Sequence, residues 1–122
     1  MQKTLMLVTL MALVGCSSAP TNNSPQNPSP DAVFSQPPHL WSGQKVLDEA
    51  PEACANKSVE ILQALQFIGV VKNGSYVYGT LFTNRAAVKC IAIGEKTFVY
   101  AAVAGPDVKQ VERLRNEIVW RL

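Results

Sequence analysis

Proline is unevenly distributed along this chain, and its distribution limits where a core can form. Six of the eight prolines lie in residues 17–38, together with many serine and asparagine residues and almost no large apolar side chains. Such a segment buries too little apolar surface to offset the conformational entropy lost on ordering. The sequence therefore predicts a disordered tether over residues 16–40 and a single folded domain over residues 41–122.

Two segments of the predicted domain have a helical pattern. Residues 51–66 begin with a proline and an acid, which are typical of a first helical turn, and their apolar side chains share one side. Gly105-Pro106-Asp107 gives a second helix a similar start, with Gly105 as the cap, and this helix is predicted to run from Pro106 to Leu122. One helix is thus expected at each end of the domain.

Four segments rich in β-branched and aromatic residues lie between the two helices. They are residues 67–72, 75–83, 86–93 and 96–104. Asn73-Gly74 is a strong signal for a two-residue hairpin turn, so Lys72 is expected to face Ser75. If Asn84-Arg85 and Gly94-Glu95 are also tight turns, the four strands form an antiparallel meander.

This order of elements predicts an α+β fold, a two-layer sandwich of the type α-β-β-β-β-α with both helices on one face of a four-stranded antiparallel meander. Strand side chains alternate between two faces. The face expected beneath the helices is small and aliphatic: Ile68, Val70, Val77, Leu81, Val88, Cys90, Ala92, Val99, Ala101 and Val103. The other face is larger and more aromatic: Phe67, Val71, Tyr76, Tyr78, Phe82, Lys89, Ile91, Ile93, Phe98 and Tyr100.

The start of the chain has the layout of an export signal. Met1-Gln2-Lys3 supplies a small positive charge, and the run of about ten apolar residues that follows is shorter than the roughly 20 needed to span a bilayer. Leu13-Val14-Gly15-Cys16 resembles the lipobox of bacterial lipoproteins. The resemblance implies that residues 1–15 are a signal peptide and that Cys16 carries the lipid. In such lipoproteins an Asp directly after the lipidated cysteine retains the protein in the inner membrane. Ser17 occupies this position here, so the resemblance implies that the protein is located at the outer membrane. An ordinary signal peptide with an incidental cysteine is the alternative.

The two remaining cysteines are expected to bond to each other. Cys54 lies on the inward side of the first helix, and Cys90 lies on the helix-facing side of a central strand. An exported protein meets an oxidising compartment, and a small core gains most from a covalent staple. We therefore expect a Cys54–Cys90 disulfide, with two buried free thiols as the alternative.

The sequence offers few groups suited to catalysis. His39 is the only histidine, so it makes neither a zinc cluster nor a triad. Asp48, Glu49 and Glu52 are close together, but acids beside a helix start are usually solvated. Without Lys3, ten basic residues face nine acidic ones, which gives no reason to expect nucleic-acid binding. We expect no enzymatic activity, no cofactor and no metal.

In its layout the chain resembles small outer-membrane lipoproteins of Gram-negative bacteria. These have a lipobox, a polar tether, a helix with one cysteine and a later strand with the second, here AVKCIAIG. The resemblance implies a periplasm-facing location, membrane attachment through the N-terminal lipid and a disulfide, but no activity.

The function expected is that of a non-catalytic binding or envelope-accessory module with an envelope protein as partner. Tyrosine has an apolar body and a polar tip and is favoured at interfaces, and open apolar patches usually have a purpose. The candidate contact residues are Tyr76, Tyr78, Phe82, Lys89, Ile91, Phe98 and Tyr100. Tyr78, Ile91 and Phe98 are expected in one cross-strand row. An inhibitor of a cell-wall hydrolase and an envelope enzyme are the alternatives. The face is ordinary core instead if it is covered by Leu40, Trp41, Val46 and Leu47.

Overall fold

Two helices and five antiparallel strands make up residues 36–122, the part of the chain that the computed structural model describes. In chain order they are β1 (His39–Leu47), α1 (Pro51–Ala64), β2 (Ile68–Asn73), β3 (Tyr76–Leu81), β4 (Asn84–Ile93), β5 (Lys96–Gly105) and α2 (Val108–Arg121). The strands form one sheet in the order β1-β5-β4-β3-β2. The predicted α+β fold is confirmed, with one strand more than expected. The predicted signal peptide, Cys16 and most of the predicted tether lie outside the described residues.

The additional strand is β1, which pairs with β5 along its whole length. It therefore extends the meander at the side opposite β2. Leu40, Trp41, Val46 and Leu47 all belong to this strand, so they lie in the plane of the sheet. The alternative in which they cover the aromatic face is wrong.

The core lies between the sheet and the two helices. α1 packs over β2, β3 and β4, whereas α2 packs over β1 and β5. Largest among the fully buried aliphatic side chains are Leu62, Val77, Val88, Val99, Val103, Val111 and Ile118. Complete burial of such a side chain contributes about 1.5–3 kcal/mol. The predicted aliphatic face is thus the inner face, although Ala92 is exposed at its end.

The connection from α1 to β2 corrects two face assignments. Gln66 has a left-handed backbone with φ of 68°, which turns the chain after α1 and places Phe67 in the core beneath the helix. A β-bulge between Ile68 and Val71, with Gly69 at φ of 58°, then puts Ile68 opposite Thr80. Phe67 was predicted on the aromatic face and Ile68 on the aliphatic face, and both predictions are wrong.

α2 begins two residues later than predicted because Asp107, not Gly105, is its N-cap. The Asp107 Oδ1 accepts a hydrogen bond from the backbone N–H of Gln110 at 2.7 Å. At the side of this helix, the Arg115 guanidinium carbon lies 5.5 Å from the centre of the Trp41 ring. This cation–π contact ties α2 to β1.

One of the three predicted hairpin registers is confirmed. In the β4–β5 hairpin, Ile93 lies opposite Lys96 and Cys90 opposite Val99, as the Gly94-Glu95 turn requires. In the β2–β3 hairpin, by contrast, Asn73 pairs with Tyr76, so the turn residues are Gly74 and Ser75. Only the first of these has positive φ, which is the pattern of a type II′ turn and not of the predicted type I′ turn.

The β3–β4 register also differs from the prediction. Leu81 lies opposite Asn84, so the turn is Phe82-Thr83 and not Asn84-Arg85. The predicted Leu81–Val88 and Gly79–Cys90 pairs are therefore wrong. Relative to the predictions, the β2–β3 pairing shifts by two residues and the β3–β4 pairing by four. A shift by an even number of residues keeps each strand side chain on its original face.

A disulfide joins the two layers. The sulfur atoms of Cys54 in α1 and Cys90 in β4 are 2.02 Å apart, and both residues are buried. This is the pair that the inward orientation of both cysteines predicted. Because β4 lies at the centre of the sheet, the bond ties α1 to the most interior strand.

Candidate binding face

The outer face of the sheet is the side turned away from α1 and α2. Both helices pack on the inner side, so within residues 36–122 no second layer covers the outer face. Six of the seven candidate contact residues lie on it: Tyr76, Tyr78, Lys89, Ile91, Phe98 and Tyr100. Their common face was predicted from strand alternation, and their neighbours depend on the register.

The register arranges the outer side chains in rows that cross the strands. One row holds Gln44, Tyr100, Lys89 and Tyr76. A second row holds Val46, Phe98 and Ile91. Tyr78 lies opposite Ala87, in a different row, because the β3–β4 turn comes earlier in the sequence than predicted. The prediction of a row containing Tyr78, Ile91 and Phe98 is therefore wrong for Tyr78 and right for the other two.

A lysine lies among tyrosines at the middle of this face. The Lys89 Nζ is 5.7 Å from the centre of the Tyr76 ring, and Tyr100 lies opposite Lys89 on the neighbouring strand. The rings of Tyr76 and Tyr78 are tilted by 43°, with centres 5.4 Å apart. Contact with a ring partly desolvates the ammonium group while leaving its donors free. This part of the face can therefore combine apolar contact with hydrogen bonds to an acceptor.

An open groove of about 420 Å³ lies beside this cluster, and it was not predicted from the sequence. Its lining consists of Leu40, Tyr76, Tyr78, Arg85, Ala86, Ala87, Ala102 and Ala104. Ala87 lies opposite Ala102, so small side chains on neighbouring strands leave a depression between larger ones. The signal was present in the sequence, because the correct β4–β5 register already pairs these two alanines.

Phe82 is the candidate residue that does not belong to the outer face. It lies in the β3–β4 turn, 84% exposed, with φ of 53°. Together with Leu65, Gln66, Ile68, Thr80 and Leu81 it lines a separate apolar depression at the end of the sheet. Its prediction as part of the aromatic face is wrong, because the residue belongs to the turn and not to the strand.

Two of the acidic residues near the start of α1 form ion pairs. Asp48 lies 3.0 Å from the Lys96 ammonium, and Glu52 pairs with Lys72. In the part of the chain that the structure describes, no three His, Cys, Asp or Glu side chains are grouped so that they could hold a metal ion. None of the described helices combines the length and the apolar character needed to cross a membrane.

No known protein family matches this chain, and a search of curated proteins finds no match. The outer face is therefore interpreted from its own side chains. Its polar groups include Lys89 and the tyrosine hydroxyls near it, and apolar side chains occupy the neighbouring row.

Proposed function

We propose that this protein is a non-catalytic module, lipid-anchored at the outer membrane, that binds an envelope protein through the outer face of its sheet. The single observation that carries the binding role is the uncovered outer face within residues 36–122. It holds Ile91 at 44% exposure and Tyr100 at 38%. Aromatic and apolar side chains on an open surface are favoured where a partner removes them from water.

The chemistry of the face indicates the kind of protein surface that fits it. The Val46, Phe98 and Ile91 row offers an apolar strip, and the row beside it offers Lys89 and the phenol group of Tyr100. Protein interfaces commonly have an apolar centre and polar groups around it. A partner with exposed aliphatic side chains next to a carboxylate or free carbonyl oxygens would match both rows.

Site-specific photocrosslinking in intact cells tests this role. A photoreactive amino acid replaces Tyr100 or Ile91 on the outer face, and Trp120 serves as the control because it is largely exposed on α2 at the other side of the molecule. We expect one protein adduct from both outer-face positions and none from the Trp120 position. Adducts of the same kind from all three positions, or none from the outer face, would contradict the binding role.

The lipid anchor is proposed from Leu13-Val14-Gly15-Cys16 and is tested separately. Cys16→Ser should leave an unprocessed precursor in the inner membrane. Ser17→Asp should leave processing intact but retain the protein in the inner membrane. Fractionation of the membranes and the mass of the mature chain measure both results. Normal cleavage of the Cys16→Ser chain, followed by release of a soluble protein, would contradict the anchor without affecting the proposed binding face.

A further inference from the structure

The two edges of the sheet differ in how readily they could accept another strand. β2 is six residues long and contains the bulge at Gly69, and a bulge turns an edge away from further pairing. β1 is nine residues long and keeps a regular register with β5 from end to end. Among residues 36–122, nothing pairs with the other side of β1. A long, regular edge of this kind presents unpaired backbone groups to an incoming strand.

We propose that β1 pairs with β1 of a second copy of this chain, antiparallel about a two-fold axis at Gly43, so that the two sheets become one sheet of ten strands. A two-fold axis at this residue places position 42 opposite 44, 41 opposite 45 and 40 opposite 46 in the second copy. The β1 sequence, HLWSGQKVL, is complementary to itself in this arrangement. This dimer does not depend on the proposed binding role of the outer face.

On the outer side, the self-pairing covers two exposed aliphatic residues. Leu40 is 66% exposed and Val46 is 53% exposed. In the two-fold register each lies opposite the other in the second copy, and the symmetry repeats the pair. Ser42 and Gln44 also meet on this side and can form hydrogen bonds across the strands. The contact is therefore apolar at two places and polar between them.

On the inner side, the same register provides a partner for Lys45. A charged residue directed inward from an edge strand normally discourages pairing. Lys45 lies opposite Val99 and thus on the inner side, as does Trp41 opposite Val103. In the dimer Lys45 faces Trp41 of the second copy, and the indole ring is the strongest cation–π acceptor among the side chains. The Lys45 charge, which would disfavour pairing with most other strands, therefore has a favourable partner in the β1 strand of the second copy. The Trp41 ring already has the Arg115 guanidinium near it at 5.5 Å, so in the dimer two cations would lie beside one indole ring.

The position of α2 leaves room for the second copy. A Cβ atom at Gly43 would lie 2.8 Å from Val119 Cγ2 and 3.2 Å from Arg115 Cδ, so this glycine lets the helix approach β1 closely. α2 packs over β5 as well as β1, and its axis therefore lies inward of the open edge. With strands about 4.8 Å apart, two such helices related by the axis would be roughly 10 Å apart. Packed helices are commonly separated by about 8–10 Å.

Paired cysteine substitutions in the full chain test the register. Leu40→Cys and Val46→Cys are expressed separately and together in intact cells, followed by mild oxidation and electrophoresis without reductant. Directly opposed residues of antiparallel strands have Cα atoms about 4.5–5.5 Å apart, within the range that a disulfide spans. Two copies of position 40, in contrast, would be about 20 Å apart, because they are six residues out of register.

We expect cross-linked dimer from the co-expressed pair at about tenfold or more the yield from either variant alone, because only the mixed pair is directly opposed. The unsubstituted chain is the control for cross-linking through Cys16. Equal yields from the single variants, or no dimer from the pair, would overturn the proposal.

Sedimentation equilibrium of the full chain in density-matched detergent provides an independent measurement. The unsubstituted chain is expected at twice the monomer mass, and Val46→Lys at the monomer mass because it places a lysine opposite Leu40. Ile93→Lys, also on the outer face but away from β1, should remain dimeric. A monomeric unsubstituted chain would overturn the proposal, including the case in which the chain's own N-terminal segment occupies the edge. A dimeric Val46→Lys chain would also overturn it.

Discussion

Replacing Val99 by alanine tests which face of the sheet forms the core. Val99 is 1% exposed, lies in β5 and faces the helices beside Cys90. The change removes the equivalent of two methylene groups, which is about 1.6 kcal/mol of transfer free energy at roughly 0.8 kcal/mol each. The residual cavity adds to this loss, since Cys90 is held by its disulfide and Thr97 by a hydrogen bond to the Glu49 carbonyl oxygen. We expect the free energy of unfolding to fall by about 2–3 kcal/mol.

Val71→Ala is the matched control, because it makes the same chemical change on the outer face. Val71 is 42% exposed and lies opposite Tyr78, so water can occupy the space left by its methyl groups. We expect a loss of less than about 1 kcal/mol. Urea unfolding followed by circular dichroism measures the free energy of unfolding of both variants. The two values can be compared if the slope of this free energy against urea concentration is the same in both variants and the native chain. Equal losses, or a loss below about 1 kcal/mol for Val99→Ala, would refute the assignment of the two faces.

Three further changes test separate contacts by the same unfolding measurement. Replacing both Cys54 and Cys90 by alanine should reduce the free energy of unfolding by roughly 3–4 kcal/mol, which is the chain-entropy value for a disulfide across 36 positions. An unchanged free energy of unfolding would show that the disulfide does not stabilise the fold. Gly105→Ala would drive a Cβ atom into Asn84 Oδ1. Gly105→Ala should therefore lower the free energy of unfolding strongly in the native chain, and less in a chain that already carries Asn84→Ala. If the losses from the two substitutions simply add, the clash is disproved. Phe82→Asn should raise stability by up to about 1 kcal/mol, because asparagine tolerates the left-handed backbone, whereas a loss would indicate contacts that favour phenylalanine.

The β-hairpins show what could be predicted from local sequence. Gly94-Glu95 gave the correct register, since a glycine with positive φ begins that turn. Asn73-Gly74 is an equally clear signal, yet the glycine occupies the first central position of the turn and asparagine ends the strand. Phe82 takes positive φ in the β3–β4 turn, and residue preference does not predict that conformation for an aromatic side chain. Apart from Phe67, Ile68 and Phe82, the face assignments are correct because both register shifts preserved the alternation of side chains.

β1 was missed for a different reason. Its inner side carries Trp41, Gly43 and Lys45, so neither side of the strand has a uniform apolar pattern. Its partner, β5, lies at the far end of the meander, and no local signal connects the two. For the candidate site, alternation alone placed six of the seven residues on the outer face, and only Phe82 was misassigned. The true register was needed to identify which residues are neighbours and to show that alanines form the floor of a groove.

The pairing of β1 with β5 also determines the order in which the sheet can be completed. Every other strand pairs with a strand that directly follows or precedes it in the chain, whereas β1 pairs only with β5, the last strand. Because synthesis begins at the N-terminus, β1 is the first of these strands to be made and the last to complete its pairing. Closing this long loop carries the largest entropy cost among the strand pairs, and non-local pairings slow folding. The β2–β5 meander can form without β1, so in the monomer β1 is expected to join a preformed sheet and to be the first strand to detach, with faster amide exchange along β1 than along β4.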